Sequence, residues 1–260
     1  MVATTPLAAA QDTEYRPGIR VLVLQHIACE PPGAYEDVLR ERGAELHRVE
    51  LDEGEPLPDW RGLDAIVAMG GPMSVNDEDE FPWLSAEKQL IGEAVRAGTA
   101  YWGACLGVQL LAASLGARVY PGAAPEVGLL PVWLTDAARS DPVLAGLPGE
   151  LLTLQWHGDT FDLPEGAVLL AGSPAYPNQA FRWRTAYGVQ FHLEVSREMA
   201  AEWAEVPAYA QALDRVLEPG SLPRLIGDLD AHVDAMREHA RRMFERWLDV
   251  VVDRKSDSGS

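Results

Sequence analysis

What most constrains this chain is a series of short apolar runs alternating with helical patterns and glycine turns. Ile19 to Gln25 (IRVLVLQ) is almost continuously apolar and rich in β-branched residues, as a strand buried on both faces must be. Gly33 to Gly43 reads as a helix and Ala44 to Glu50 as a second strand. Leu63 to Met69 is a third strand, ending at Gly70-Gly71-Pro72. A helix follows, with Ser85 as N-cap, Glu87 in the first turn, Leu90, Ile91, Ala94 and Val95 as the apolar stripe and Gly98 as the stop. Thr99 to Gly103 is a fourth strand, and Leu106 to Leu115 a helix closed by Gly116. Strands alternating with helices require right-handed crossovers and a parallel sheet covered on both sides.

After Gly116 the pattern changes. Val127 to Leu134, Leu151 to Leu154, Ala167 to Ala171, Gln179 to Trp183 and Ala186 to Phe191 are short strands between proline and glycine turns. They predict an antiparallel extension feeding back into the main sheet. From Arg197 on the chain is helical, and apolar residues from Leu222 to Leu248 keep three-four spacing. That stripe packs on the main domain or leaves room for a homodimer. The fold class is therefore α/β: an open, mostly parallel, doubly wound (flavodoxin-like) sheet with an antiparallel extension and a C-terminal helical appendage. Residues 1–17 read as a disordered tail, 18–197 as the α/β domain, 198–254 as the helical extension and 255–260 as a second frayed tail.

Charge and cysteine content narrow the function. With 21 basic against 40 acidic side chains the formal charge is −19, which repels nucleic-acid phosphates and anionic membrane surfaces. No apolar run is long enough to span a bilayer, and the first residues lack the basic and hydrophobic parts of a secretory signal. Two cysteines, Cys29 and Cys105, imply no disulfide framework. The expected location is the cytoplasm, where a lone thiol stays reduced and available for chemistry.

The chemistry centres on Tyr101-Trp-Gly-Ala-Cys-Leu-Gly-Val-Gln109, where a strand runs straight into a helix with glycines two before and two after Cys105. This is the pattern of a nucleophile elbow. It holds the thiol in a strained, exposed turn at a helix N-terminus, where free N–H groups favour thiolate and can face an oxyanion, that of Leu106 being best placed. Further on, Gly188-Val-Gln-Phe-His-Leu-Glu194 sets His192 and Glu194 two apart near a strand end, on one face, with Leu193 pointing away. A carboxylate there can orient an imidazole acting as base. Gly70-Gly71-Pro72 leaves the third strand at the ligand edge of the sheet, where glycine would let a backbone N–H reach the oxyanion from a second side. Gln155-Trp-His-Gly-Asp159 is a second histidine–acid pair, but neither it nor Cys105 and His192 has metal-ligand spacing, so no metal is expected. His26, His47, His232 and His239 show no partner and read as surface or core positions, and Cys29 as structural.

Taken together and in order, Met69-Gly-Gly-Pro-Met-Ser74, Gly103-Ala-Cys-Leu-Gly-Val-Gln109, Trp156-His-Gly-Asp159 and Gln190-Phe-His-Leu-Glu194 resemble the class I (triad-type) glutamine amidotransferases. Within them the chain is most similar to stand-alone proteins related to the glutaminase domain of GMP synthase. The resemblance implies that Cys105 attacks the glutamine carboxamide, that His192 is base and then acid, and that Glu194 orients it. It further implies an oxyanion hole from the Gly71 and Leu106 amides, with Gln109 and backbone around Gly158 holding the amino-acid end. No cofactor is implied. Two departures are local: Leu193 stands where the family often has proline, and Ala104 where it often has a branched aliphatic residue.

No Ser-Gly-Gly-x-Asp-Ser loop for ATP activation and no P-loop is present, so any ammonia acceptor is expected to be a separate synthetase. The same triad could serve a γ-glutamyl peptidase or hydrolase acting on other γ-glutamyl amides. A non-catalytic regulatory protein of this fold is disfavoured by the presence of all three triad residues.

Overall fold

The computed structural model describes residues 18–258, so the expected tail at 1–17 lies outside the described residues, as do Gly259 and Ser260. Strands β1 (Arg20–Gln25), β2 (Glu45–Glu50), β3 (Ala65–Ala68) and β4 (Ala100–Ala104) are interleaved with helices α1 (Ala34–Glu41), α2 (Trp83–Ala97) and α3 (Leu106–Ser114). The antiparallel half follows as β5 (Val119–Leu134), a one-turn helix α4 (Asp136–Arg139), β6 (Glu150–Phe161), β7 (Val168–Gly172), β8 (Ala180–Trp183) and β9 (Ala186–Val189). All nine strands form one sheet in the order β2-β1-β3-β4-β9-β8-β7-β5-β6. Pairings are parallel from β2 through β9 and antiparallel from β9 to β6.

Alternation along the central strands divides the core in two. Val21 and Val23 of β1, Val67 of β3 and Trp102 of β4 face one side, with α1 and the C-terminal helices. Leu22, Leu24, Ile66 and Tyr101 face the other, with α2 and α3. Both sides are apolar, which is why these strands read as unbroken hydrophobic runs rather than alternating ones.

After β9 come α5 (Arg197–Trp203), α6 (Pro207–Val216) and α7 (Leu222–Ser258). The stripe of α7 packs on its own chain: Phe244 stacks on Tyr35 at 4.8 Å and meets Trp102 edge-on at 5.4 Å, and Trp247 lies 5.7 Å from Trp102. The face that left room for a homodimer is thus covered within the chain. Helix also continues to Ser258, through positions expected to fray.

Three local expectations change. Helix α2 begins two residues before Ser85, behind Pro82, whose fixed φ of −60° leads into the first turn; Ser85 Oγ instead donates to Glu78 at 2.8 Å. Glu87 consequently lies past the first turn and is fully buried. Finally, β5 and β6 are far longer than their sequence patterns suggest, pairing from Val119–Phe161 to Trp133–Glu150 across an irregularity between Pro121 and Glu126. Cross-strand bonding carries the ladder past prolines that break the hydrophobic pattern, as a bulge permits.

Candidate active site

The cavity over Cys105 lies at the carboxyl ends of the parallel strands, beside the point where β2 and β3 diverge to either side of β1. It measures about 290 Å³ and is lined in part by Gly71, Cys105, Leu106, Gln109, Gly158 and Tyr209. All the expected site residues except His192 and Glu194, which are buried, therefore border it directly.

Cys105 sits between β4 and α3 with φ 53° and ψ −107°, a positive-φ conformation costly for a residue with a Cβ. Two features over-determine it. Its N–H donates to the Val189 carbonyl at 2.9 Å, tying the elbow to β9. The flanking glycines also allow very close packing: a Cβ on Gly107 would collide with the Ala68 carbonyl, and one on Gly103 with the Gly107 backbone. The thiol is 5% exposed and close enough to His192 and the Leu106 N–H for both to draw its pKa down, while Gln190 Nε2 lies 3.7 Å from the sulfur. Gln109 Nε2 in turn donates to Gln190 Oε1 at 3.1 Å.

His192 and Glu194 lie beyond the end of β9 rather than within it. His192 is held by a two-bond bridge to Leu154 of β6, its N–H donating at 2.9 Å and its carbonyl accepting at 3.0 Å. Across that bridge the expected pairing forms: His192 Nδ1 lies 2.7 Å from Glu194 Oε1, both side chains being buried. Glu194 Oε2 also accepts the Leu193 N–H at 3.0 Å. Burial pushes the Cys105 thiol up, against the opposing pull of His192. For His192 burial disfavours the charged ring, yet the Glu194 carboxylate outweighs it and the imidazole pKa stands well above its ordinary value.

The second histidine–acid pair does not form as a side-chain pair. His157 Nδ1 approaches the Asp159 backbone carbonyl at 3.0 Å, whereas the Asp159 carboxylate accepts from Ser74 Oγ at 2.7 Å. Both residues lie on one face of β6, but the His157 ring is turned to Glu126 of β5, its Nε2 3.3 Å from Oε2, which leaves Asp159 to Ser74. Among the described residues no group of three or more histidine, cysteine or acidic side chains is arranged to hold a metal ion.

A family model described as glutamine amidotransferase class-I matches residues 34–203. The chain belongs to that family. It is 34% identical over 185 residues to the glutamine amidotransferase-like protein YfeJ of Salmonella typhimurium, covering 69% of this chain and 77% of that one. It is 35% identical over 221 residues to a glutamine-hydrolysing GMP synthase of Thermomicrobium roseum, covering 75% of this chain but only 40% of that larger protein. A glutamine amidotransferase of Thermotoga maritima has a solved structure that superposes with a TM-score of 0.80 at 32% identity, over 89% of this chain and 99% of that one.

Several residues around this amidotransferase site were not evident in the sequence. Glu30, 1% exposed, accepts a hydrogen bond from the Tyr209 hydroxyl of α6, and burial raises its pKa. Trp203 packs edge-on against the His192 ring at 4.6 Å. His26 is fully buried, with Nδ1 3.1 Å from the Gly70 carbonyl and Nε2 2.9 Å from Glu87. It is no filler. No local pattern marked these positions, because their partners are remote in sequence.

The glycine spacing itself is testable. Gly107→Ala should destabilise the protein by about 1–3 kcal/mol, the usual cost of overpacking, because neither Ala68 nor the helix can retreat from the new methyl group. Thermal melting checks this, and a variant as stable as the native chain would show that the elbow is loosely packed.

Proposed function

We propose that this amidotransferase hydrolyses the side-chain amide of glutamine. Cys105 sulfur attacks the carboxamide carbon while His192 takes the thiol proton. The tetrahedral oxyanion faces the Gly71 and Leu106 amides, and its collapse expels ammonia, which takes the proton back from His192. The resulting γ-glutamyl thioester is cleaved by water, with His192 again as base, giving glutamate and the free thiol. Glu194 keeps the imidazole oriented and stabilises its cation. Gln109 and the backbone at Gly158 line the region where the amino-acid end would lie.

One observation carries this reading: a buried thiol at the cavity, next to an imidazole whose Nδ1 is 2.7 Å from a buried carboxylate. The same groups would serve a γ-glutamyl peptidase. A relative in Sulfurisphaera tokodaii, 33% identical over 153 residues, is one of the subunits that make up a glutamine-hydrolysing GMP synthase, which supports delivery of ammonia to a separate synthetase.

A purified-enzyme screen separates the two substrates. Glutamine, γ-glutamyl dipeptides and γ-glutamyl amines would be compared, reading glutamate and ammonia independently. Glutamine is expected to give both products in equal amounts and to be the best substrate. Fast glutamate release from dipeptides with poor activity on glutamine would transfer the assignment to the peptidase.

A further inference from the structure

The oxyanion site depends on which way one peptide faces. Gly71 can present its N–H to the Cys105 centre only if the Gly70–Gly71 peptide is turned with its carbonyl elsewhere. In a trans peptide the carbonyl and the next N–H point in opposite directions, so fixing one fixes the other. The described residues contain no cis peptide.

The Gly70 carbonyl is held by His26. Its Nδ1 lies 3.1 Å away, and because a carbonyl oxygen can only accept, that nitrogen carries the proton. Nε2, on the other side of the ring, lies 2.9 Å from Glu87 Oε1, and both side chains are fully buried. Trp83 stacks against the ring at 5.7 Å. The peptide is also closely packed: a Cβ on Gly71 would meet Met73 Sδ at 2.6 Å, His26 Cβ at 2.9 Å and Leu106 Cδ2 at 3.1 Å, and one on Gly70 would collide with the Glu30 carboxylate and touch Cys105 Cβ. It therefore has His26 on one side and the elbow on the other.

We propose that His26 and Glu87 are positioning residues for the oxyanion site, locking the Gly70–Gly71 peptide with its carbonyl turned away from Cys105 and its N–H turned towards it. The inference rests on the reading of Gly71 as an oxyanion donor. A flip would break the His26 bond, set N–H against N–H, and turn a carbonyl oxygen towards developing negative charge. Glu87 makes the lock robust. Burial disfavours the charged ring, but the Glu87 carboxylate, helped by Glu30 and the Gly70 carbonyl, raises the His26 pKa above its ordinary value. With Nδ1 donating to the Gly70 carbonyl, Nε2 is the nitrogen that faces the Glu87 carboxylate. Glu87 Oε2 has no hydrogen-bond partner of its own, so His26 is what compensates this buried carboxylate.

The test removes the lock without stranding a charge, by combining His26→Leu with Glu87→Met, an apolar pair of similar bulk. If the lock matters, kcat for glutamine falls about 100-fold or more, the cost of losing one oxyanion donor. KM should stay within about twofold, because the loss is confined to the transition state. Alkylation of Cys105 by iodoacetamide, read by mass at that residue, should be unchanged, since displacement of iodide develops no oxyanion. His26→Asn combined with Glu87→Met, which keeps an N–H near the Nδ1 position without stranding the carboxylate, should recover most of kcat. An undiminished kcat in the double variant, or a fall matched by equally slow alkylation, overturns the proposal, the latter by revealing general damage to the site. If the native chain turns over glutamine but the double variant equals it, this inference alone fails. A native chain inert towards every γ-glutamyl substrate overturns the assigned reaction and the inference with it.

Discussion

With serine in place of Cys105, glutamine hydrolysis should fall by about 10,000-fold or more while the fold survives. The substitution exchanges one small side chain for another at a position whose backbone is fixed by the Val189 bond and by glycine packing, so little structural change is expected. The chemical change is large. A thiol next to an imidazole can reach the thiolate, whereas a hydroxyl must lose its proton from a far higher pKa, and the His192–Glu194 pair is built around the sulfur. The glutamine analogue 6-diazo-5-oxo-norleucine should accordingly add its mass at Cys105 in the native enzyme and nowhere in Cys105→Ser. The other thiol is a fair internal control. Cys29 is pushed up to about 11 by burial and then by Glu30, which leaves it almost wholly protonated near neutrality. Label on Cys29, or hydrolysis by the serine variant at a tenth of the native rate, would remove Cys105 from the mechanism.

How much of this could be read beforehand follows from the range of the interactions. The parallel half was legible because its strands are buried on both faces, so β1, β3 and β4 announce themselves in a few consecutive residues. The elbow was legible for a related reason: strand, turn and helix are contiguous, and the glycines mark close backbone approaches, Gly107 to Ala68 and Gly103 to Gly107. Contacts between distant segments left no such trace. His26 meets Glu87 across 61 residues and Glu30 meets Tyr209 across 179, and in sequence each looks like an ordinary polar residue. Glu87 was read as favouring a helix start, because an acidic residue near an N-terminus carries that signal whether or not it faces inward. The antiparallel half was legible in kind but not in extent, since the ladder between β5 and β6 is held by pairing across a bulge rather than by either strand's own pattern. His157 and Asp159 share a strand face, but the His157 ring turns to Glu126 on the neighbouring strand and Asp159 to Ser74, remote partners that the spacing does not show, while the same spacing in His192 and Glu194 brings the two side chains together.

Removing the imidazole should be nearly as damaging as removing the sulfur, and by a route that pH exposes. On the proposed mechanism, His192→Ala would deprive the thiol of its base and the departing ammonia of its acid, with an expected loss of about 1,000-fold or more in kcat. It also leaves burial as the main influence on Cys105. Because His192 holds the thiol pKa down, the pH at which Cys105 becomes reactive to iodoacetamide should move upward in this variant. Glu194→Gln makes a sharper test of orientation. The glutamate accepts from Nδ1 and thereby leaves Nε2 free to receive the thiol proton. A glutamine amide can donate to Nδ1 instead, placing the ring proton on Nε2, facing the sulfur, where it cannot act as base. The carboxylate's support for the imidazolium also disappears, so the His192 pKa falls, and the part of the pH–rate profile set by that group should shift to lower pH. Expected together are a kcat reduced by about 100-fold or more, a displaced profile and an unchanged melting curve. A Glu194→Gln enzyme with the native rate and the native pH profile would mean that the 2.7 Å contact is structural and that some other group aligns the base.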